Sequence, residues 1–218
     1  MLSQTSSAAQ DYLKAVYLES EAGVGTASTT AIAARLEVSP ASATNMLKKL
    51  AAAGLVDHSP YRGARLTADG RSIALEVVRH HRLLETYLAE ALGVPWDQIH
   101  QEAEVLEHVL SEDLEARISE RLGHPLADPH GHPIPTSELD MPSLSDRRLW
   151  DVDAGEVVIE RVSDAYPTAL RYLSDSGLRP GESVEVVDRG PVNGPLFVRV
   201  SDRIEAISKE LAEAIWVS

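Results

Sequence analysis

Residues 100–108 carry histidines and glutamates at spacings that could bind a metal ion. If this stretch is helical, His100, Glu104 and His108 lie one turn apart on one face, with Glu107 beside them. Imidazole nitrogens and carboxylate oxygens that converge in this way suit a divalent cation such as Mn, Fe or Zn. The alternative is a solvated acidic helix face, which the same pattern also produces.

Composition narrows the possible chemistry. The chain has 218 residues, of which 44% are apolar, enough for two or three small domains with their own cores. It contains no cysteine, which excludes disulfides, thiolate metal sites and cysteine nucleophiles. An N-terminal apolar leader and an apolar run near the roughly 20 residues of a membrane span are both missing, so we expect a cytoplasmic protein without a membrane partner.

Charge is distributed unevenly along the chain. The net charge is -14, which by itself argues against nucleic acid as a partner. Residues 1–72, however, hold seven Lys and Arg against six Asp and Glu, a balance of +1, so the remainder carries -15. The N-terminal part could therefore approach a phosphate backbone, whereas the rest would attract cations.

The elements that position these residues begin with an amphipathic helix at 8–20. A short helix at 29–36 and another at 40–53 follow, with Ser39 suited to the N-cap and Pro40 to the first turn of the latter. This pair predicts a helix-turn-helix, whose second helix would enter a major groove and contact phosphates. The residues that we expect at the DNA are Ser39, Pro40, Ala41, Ser42, Thr44, Asn45, Lys48 and Lys49.

A β-hairpin is predicted directly after this helix, which Gly54 ends at the C′ position. Residues 55–58 and 64–67 have the pattern of short strands, and the turn-rich connection places Arg62 and Arg65 near its tip. The unit is then a winged helix, and both arginines are expected at the DNA. An αα-hairpin without a ligand is the alternative for the helical pair.

A long helix is predicted at 67–91, with His81 and Glu85 one turn apart. Further helices are expected around 100–108 and at 114–122. Their apolar residues exceed the needs of one small helical layer, so we predict a homodimer. Two winged helices related by a twofold axis would bind a near-palindromic operator in double-stranded DNA.

The segment 123–150 contains five prolines and three histidines, and we interpret it as a connecting stretch. Within it Asp128, His130 and His132 could bind a metal, but the prolines around them favour a rigid turn. Residues after 150 change to a β pattern, which indicates a small five-stranded barrel with two short helices, at 167–175 and 208–214. Four of its strands are predicted at 156–162, 183–188, 196–200 and 214–217.

A winged helix, then helices carrying His and Glu, then a small barrel is not a generic order. Over its whole length the chain resembles the diphtheria toxin repressor family of metal-dependent regulators, and within it the manganese transport regulators. The segments that carry the resemblance are 80–85 (HHRLLE) and 102–111 (EAEVLEHVLS).

The resemblance implies a fold that is mainly α with small β parts. We place a winged helix-turn-helix DNA-binding domain at 1–72 and a helical metal-binding and dimerisation domain at 73–140. A linker at 141–150 and a small barrel of the Src-homology-3-like, FeoA-like type at 151–218 complete the chain.

The resemblance also implies two metal sites, and so up to two ions per chain. The primary site, which activates DNA binding, would use Asp11, Glu104, Glu107 and His108. The ancillary site would use His81, Glu85, His100 and, as our candidate from the barrel, Asp164.

Three carboxylates and one imidazole suit Mn(II). Iron-responding members typically carry Met and Cys where this chain has Asp11 and Glu104, so the resemblance implies a Mn(II)-activated repressor of manganese homeostasis genes. An Fe(II)-responsive regulator of iron uptake is the alternative. Lys14 stands where the compact manganese regulators, which lack the barrel, have another acid, and this argues against a binuclear site of their kind.

Two other classes of function stay open at this point. Residues 104–108 come within one residue of the inverted zinc-protease pattern H-x-x-E-H, with Glu104 in place of the first His, so a zinc-dependent hydrolase is a remote alternative. The other remaining class is a regulator that binds DNA without metal and uses these helices only to dimerise. We expect a regulator and not an enzyme.

Overall fold

The structure is a computed structural model that describes residues 5–21, 25–59, 62–142, 145–192 and 194–218. The chain forms two compact units. The first comprises Met1–His81, Leu106–Leu110 and Pro135–Asp140. The second comprises Arg82–Val105, Ser111–Ile134 and Met141–Ser218.

The first unit contains the predicted helix-turn-helix. Its helices are α1 (Ser7–Glu21), α2 (Thr29–Arg35) and α3 (Pro40–Ala52). The Ser39 hydroxyl caps α3 by accepting a hydrogen bond from the Ser42 backbone N–H at 3.1 Å. Gly54, with φ of +74°, follows the last turn of α3 in the left-handed conformation expected at C′. The predicted helix-turn-helix and both of its end signals are confirmed.

The wing follows α3 as the antiparallel pair β1 (Val56–Ser59) and β2 (Gly63–Leu66). Ala27, from the chain between α1 and α2, forms a bridge to Ala64 and so ties the wing to the helical pair. The predicted connection between the two strands includes Pro60 and Tyr61, which lie outside the described residues.

Helix α4 (Ala68–Leu92) lies within one residue of its predicted ends, and its first half belongs to the first unit. A glycine is required near its start, because a Cβ on Gly70 would lie 1.9 Å from the Leu55 backbone oxygen. Ile73, Ala74, Val77 and Val78 of α4 are buried, as are Leu13 of α1 and Leu47 of α3. None of the described helices, α4 included, is both long and apolar enough to cross a membrane.

Helices α5 (Ile99–Leu106) and α6 (Glu112–Arg121) follow. The expectation that residues 100–108 form one helix is wrong at its end, because residues 107–109 form a turn. The Val109 backbone N–H donates to the Leu106 carbonyl three residues earlier, at 3.1 Å, which is the hydrogen bond of a turn and not of an α-helix. Ser111 then caps α6, so the backbone must leave the helical path between the two.

The second unit contains an antiparallel five-stranded sheet with strand order β6-β5-β4-β3-β7, together with α7 (Pro167–Ser176) and α8 (Lys209–Glu213). Four strands match the prediction closely, and the strand from Arg203 to Ile207 was not located from the sequence. The five strands are β3 (Gly155–Val162), β4 (Ser183–Arg189), β5 (Leu196–Val200), β6 (Arg203–Ile207) and β7 (Ile215–Val217).

The end of the predicted linker packs onto this sheet. Leu149, at the start of a short 3-10 helix (Leu149–Asp151), is fully buried in the core of the β domain. The segment between α4 and α5 also contacts the β domain. Trp96 is partly buried against the same core, and Asp97 accepts a hydrogen bond from Arg171 of α7 at 2.6 Å. The second unit therefore includes helical segments as well as the sheet, and the four-part division of the chain stays a prediction.

Candidate metal centres and DNA-contacting surface

Three of the four expected primary ligands come together in the first unit. The Nε2 atom of His108 lies 2.8 Å from Oδ1 of Asp11 and 3.7 Å from Oε1 of Glu107. Potential ligand atoms of these three residues lie within 4.8 Å of one another. We call Asp11, Glu107 and His108 the primary set. It joins α1 to the turn after α5.

The second nitrogen of His108 is held by a residue that the sequence did not single out. Nδ1 lies 2.7 Å from Oε1 of Gln10, a buried residue of α1. An amide oxygen can only accept, so Nδ1 carries the hydrogen and Nε2 is directed at the carboxylates. A metal-binding histidine is commonly oriented in this way by a hydrogen bond to its other nitrogen.

Glu107 is fully buried, and its carboxylate contacts two further side chains. Lys14 Nζ donates to both of its oxygens, at 2.9 and 2.8 Å, and His81 Nδ1 lies 2.5 Å from Oε2. Burial opposes ionisation of Glu107, but the hydrogen bond from His81 and the charge of Lys14 outweigh it and lower its pKa. The carboxylate is therefore ionised, with Lys14 and His81 as its present partners.

The protonation of His81 follows from these contacts. Its Nδ1 also lies 3.2 Å from Lys14 Nζ, but a lysine ammonium and an N–H are both donors. We assign the hydrogen of Nδ1 to the bond with Glu107, since a carboxylate only accepts. In the neutral ring this leaves the lone pair on Nε2 of His81.

A second group of candidate ligands lies in the second unit. His100 Nδ1 is 3.2 Å from Oε1 of Glu85 and 3.6 Å from Oδ2 of Asp164. Burial and, to a smaller extent, repulsion from Glu85 raise the pKa of Asp164. The charges of His132, His100 and His130 lower it by more, so the net effect is a lowered pKa. We call Glu85, His100 and Asp164 the second cluster.

Glu104, the fourth expected primary ligand, belongs to the second unit as well. Its Oε1 lies 3.7 Å from Nε2 of His100, one turn earlier in α5. The structure thus distributes the expected primary ligands over both units, with Glu104 in the second and the other three in the first.

The proline-flanked segment at 128–133 forms the rigid turn favoured from the sequence. Asp128 Oδ1 accepts hydrogen bonds from the backbone N–H groups of His130 and His132, at 2.8 and 3.0 Å. The side chains of these three residues also converge closely enough to hold a metal ion. The turn and the metal-ligand geometry therefore coexist.

His130 is fully buried and adjoins the second cluster. Its Nε2–H donates to the Trp96 carbonyl at 3.1 Å, and its Nδ1 lies 3.8 Å from Glu85 Oε2. Burial disfavours the charged ring, but the interactions with Glu85, then with Asp128 and Asp164, raise the pKa of His130 to about 9. The carboxylates thus stabilise a positive charge at this position. From the sequence, His130 was considered together with Asp128 and His132, as a possible metal site or, preferably, as part of a rigid turn.

The donor chemistry of both groups fits a divalent cation. The primary set offers an ionised buried carboxylate, a second carboxylate and an oriented imidazole. Near the second cluster, Asp128 Oδ2 is buried without a hydrogen-bonding partner among the described residues. Buried polar atoms normally have a partner, and a bound cation would supply one.

The expected DNA-contacting residues lie mostly on the surface of α3 and the wing. Ala41, Asn45, Lys48, Lys49 and Arg62 are exposed. Ser39, Pro40 and Ser42 are exposed as well. The hydroxyl oxygens of Ser39 and Ser42 lie 2.9 Å apart in a hydrogen bond at the start of α3, and Thr44 donates to the Pro40 carbonyl at 2.8 Å. The exposed Arg65 donates to the Gly25 carbonyl at 3.1 Å.

Comparison with sequence profiles of known families gives three consecutive matches. Residues 4–64 match the iron-dependent repressor N-terminal DNA-binding domain. Residues 67–136 match the iron-dependent repressor metal-binding and dimerisation domain. Residues 148–218 match the FeoA domain.

Curated relatives extend along nearly the whole chain. The iron-dependent repressor IdeR of Mycobacterium leprae is 32% identical over 221 residues, which cover 94% of each chain. The diphtheria toxin repressor of Corynebacterium glutamicum is 30% identical, covering 93% of this chain and 95% of its own.

Solved structures give a complementary result. A manganese-dependent transcriptional repressor in complex with manganese has a TM-score of 0.90 at 41% identity, covering 96% of this chain and 98% of that chain. The manganese regulator SloR has a TM-score of 0.80 at 29% identity, covering 96% and 97%.

Proposed function

Because the chain belongs to the diphtheria toxin repressor family of metal-dependent transcriptional repressors, we propose that it is a cytoplasmic repressor of manganese homeostasis genes with Mn(II) as co-repressor. One observation carries this proposal. The buried, ionised carboxylate of Glu107 lies beside Asp11 and His108, and this primary set offers oxygen and nitrogen donors only.

The donor set favours Mn(II) over softer metals. Carboxylates suit Mn(II), and the chain has no cysteine to select a thiophilic ion. The solved relatives described as manganese-dependent support this choice. Fe(II) is the alternative, supported by curated relatives described as iron-dependent. Fe(II) binds a given site more tightly than Mn(II) in the intrinsic order, so selectivity would depend on geometry and metal supply.

In this proposal the ion would be held by Asp11, Glu107 and His108, and the resemblance adds Glu104 as a further ligand. The ion supplies positive charge that neutralises the carboxylates. Asp11 lies on α1, which packs against the helix-turn-helix, whereas Glu107 and His108 lie in the turn after α5. Binding by all three would therefore fix α1 and that turn relative to each other within the first unit.

The second cluster is proposed as the ancillary site, giving up to two ions per chain. Glu85, His100 and Asp164 would bind the ion. The assignment of His81 to this site follows the resemblance. It is supported by the hydrogen bond to Glu107, which leaves Nε2 of a neutral His81 as a potential ligand.

We further propose that the protein acts as a homodimer on a near-palindromic operator. The match to a dimerisation domain supports a dimer, as do exposed apolar side chains at Val105, Val109 and Leu114. In each subunit α3 would enter the major groove, with Lys48 and Lys49 at phosphates and Arg62 and Arg65 of the wing beside them. No catalytic step is part of the proposal.

The test is operator binding by the chelated full-length protein, titrated separately with Mn(II) and Fe(II) under anaerobic conditions. Strong tightening by Mn(II), with Fe(II) acting only at much higher concentration, is the expected result. Equal effects would make the site permissive for both metals. If the chelated protein binds the operator tightly and neither metal changes its affinity, metal activation is overturned. Zn(II)-dependent hydrolysis without DNA binding would favour the hydrolase.

A further inference from the structure

The five-stranded sheet of the β domain has one covered edge and one open edge. Strand β7, at one end, is covered by the segment that precedes the domain. The Val217 backbone N–H donates to the Arg147 carbonyl at 3.0 Å, and the Ser145 hydroxyl donates to the Val217 carbonyl at 2.9 Å. Strand β6 ends the sheet on the other side, and in the part of the chain that the structure describes no strand pairs with its outer edge. An open edge of this kind can accept a further strand.

The backbone groups at this open edge follow from the pairing of β6 with β5. A two-residue turn joins the two strands, so Val200 and Arg203, which flank it, form a hydrogen-bonded pair. Such pairs alternate along an antiparallel ladder, so the backbone groups of Glu205 are also directed at β5, whereas those of Ile204 and Ala206 are directed outward. Both outward-directed residues also have exposed side chains, and Ile204, a large apolar residue, is 56% exposed.

The charges of β6 are complementary to those of an identical strand. Arg203 precedes Ile204, and Glu205 follows it. If a second copy of β6 pairs antiparallel with the first so that the two Ile204 residues are opposite each other, each Arg203 lies opposite the Glu205 of the other copy. Opposite charges directly across two strands stabilise the pair, and like charges destabilise it.

The other symmetric registers are unfavourable. Centring the pair on Arg203 or on Glu205 places two like charges opposite each other, and centring it on Ala206 brings Arg203 opposite Lys209. A shift by half a step would set an outward-directed residue opposite an inward-directed one, and the ladder hydrogen bonds would be lost. The register centred on Ile204 therefore combines matched hydrogen-bonding groups, matched charges and burial of the exposed isoleucine.

We propose that the β6 edge binds the β6 edge of a second copy of this chain, in the antiparallel register centred on Ile204, so that the sheets of two β domains join into one. The contact needs no metal. It is also separate from Val105, Val109 and Leu114, the exposed apolar residues that support the homodimer. A protein with two different contacts between copies can link its dimers into larger assemblies.

The test makes use of the absence of cysteine from the chain. In the full-length protein, Ile204→Cys introduces one thiol, which in the proposed register lies opposite its own copy, with the Cα atoms about 5.5 Å apart and within reach of a disulfide. Ala206→Cys is the matched control on the same edge and face, because its Cα atoms would lie roughly 14 Å apart, too far for a disulfide. With oxidised glutathione as the oxidant, we expect Ile204→Cys to form a covalent dimer at least about 10-fold faster than Ala206→Cys. Equal rates would overturn the proposal.

Charge reversals test the register independently. Arg203→Glu and Glu205→Arg are each added to Ile204→Cys, and either variant alone then places like charges opposite each other, so its crosslinking should slow towards the rate of the control. A mixture of the two restores opposite charges at both positions, so the mixed covalent dimer, identified by its mass, should exceed its statistical share. A statistical mixture, or unchanged crosslinking in the single reversals, would contradict the pairing of Arg203 with Glu205.

Discussion

The imidazole Nε2 of His108 lies 2.8 Å from the Asp11 carboxylate and thereby joins the turn after α5 to the first helix of the chain. The two groups can share a proton in a hydrogen bond, or they can bind a metal ion between them, but not both at once. In the second case the ion would also neutralise Glu107, so binding would be strongest when all three residues take part.

Asp11→Asn removes one charge from the primary set and keeps the shape of the side chain. We expect the tightening of operator binding by Mn(II) to fall by about 5- to 150-fold, the range of a coupling free energy of ~1–3 kcal/mol. Fluorescence anisotropy of a labelled operator, with and without Mn(II), measures it. Glu90→Gln, at an exposed position of α4, is the matched control and should respond normally. Normal activation of Asp11→Asn would refute the role of Asp11.

Gln10→Leu removes the hydrogen bond that orients His108. We expect Mn(II) affinity to fall about 10- to 100-fold, as when other residues that orient metal ligands are lost. Operator affinity at saturating Mn(II) should be retained, because Gln10 is not itself a proposed ligand. Isothermal titration with Mn(II) tests this, with Gln101→Leu at an exposed position of α5 as control. Equal affinity in both variants would show that the hydrogen bond to Gln10 is unimportant.

Local signals in the sequence were sufficient for most of the fold. The cap at Ser39 and the left-handed residue at Gly54 depend only on neighbouring backbone groups, so sequence alone located them. Strand β6 was not located, because three of its five residues are exposed and it lies at the edge of the sheet without apolar alternation. The end of α5 at Leu106 was missed because helical spacing of His and Glu does not specify where a turn begins.

The candidate sites were less accessible to sequence reasoning. Asp11 and His108 are far apart in the chain, and only the family resemblance connected them. Gln10 and Lys14 lie on α1, where an amphipathic pattern predicts polar residues on the solvated side, yet both are buried. Their burial depends on partners from distant segments. No local signal in the sequence indicates it.

The two kinds of DNA contact proposed for α3 predict different effects. Lys49→Ala should weaken binding to all sequences alike and reduce the slope of log affinity against log salt by about 1. Asn45→Ala should weaken the operator alone, by about 1–3 kcal/mol, if its amide contacts a base. Operator and unrelated DNA are compared over a range of salt concentrations. Lys209→Ala, on the β domain, is the control, and a change in its salt dependence would contradict the assignment.

Gly131 lies where the segment with His130 and His132 crosses strand β3. Its φ is +87°, and a Cβ there would lie 2.0 Å from the Glu160 carbonyl oxygen. Gly123 has a similar φ of +74°, but a Cβ there would meet nothing within 4 Å. Both Gly→Ala variants incur the cost of a left-handed residue, about 1–2 kcal/mol, but only Gly131→Ala also has to move backbone.

We therefore expect Gly131→Ala to lower the free energy of unfolding by a further ~1–3 kcal/mol beyond Gly123→Ala. Urea unfolding of the metal-free proteins measures the difference. The same displacement would break the hydrogen bond from the Val162 backbone N–H to the His130 carbonyl, at 2.9 Å, and move His130 away from Glu85. Gly131→Ala should accordingly lose the second Mn(II) ion while retaining the first. Equal free energies of unfolding for the two variants would show that β3 can move without loss of stability. Normal uptake of both ions by Gly131→Ala would show that this turn is not needed for the ancillary site.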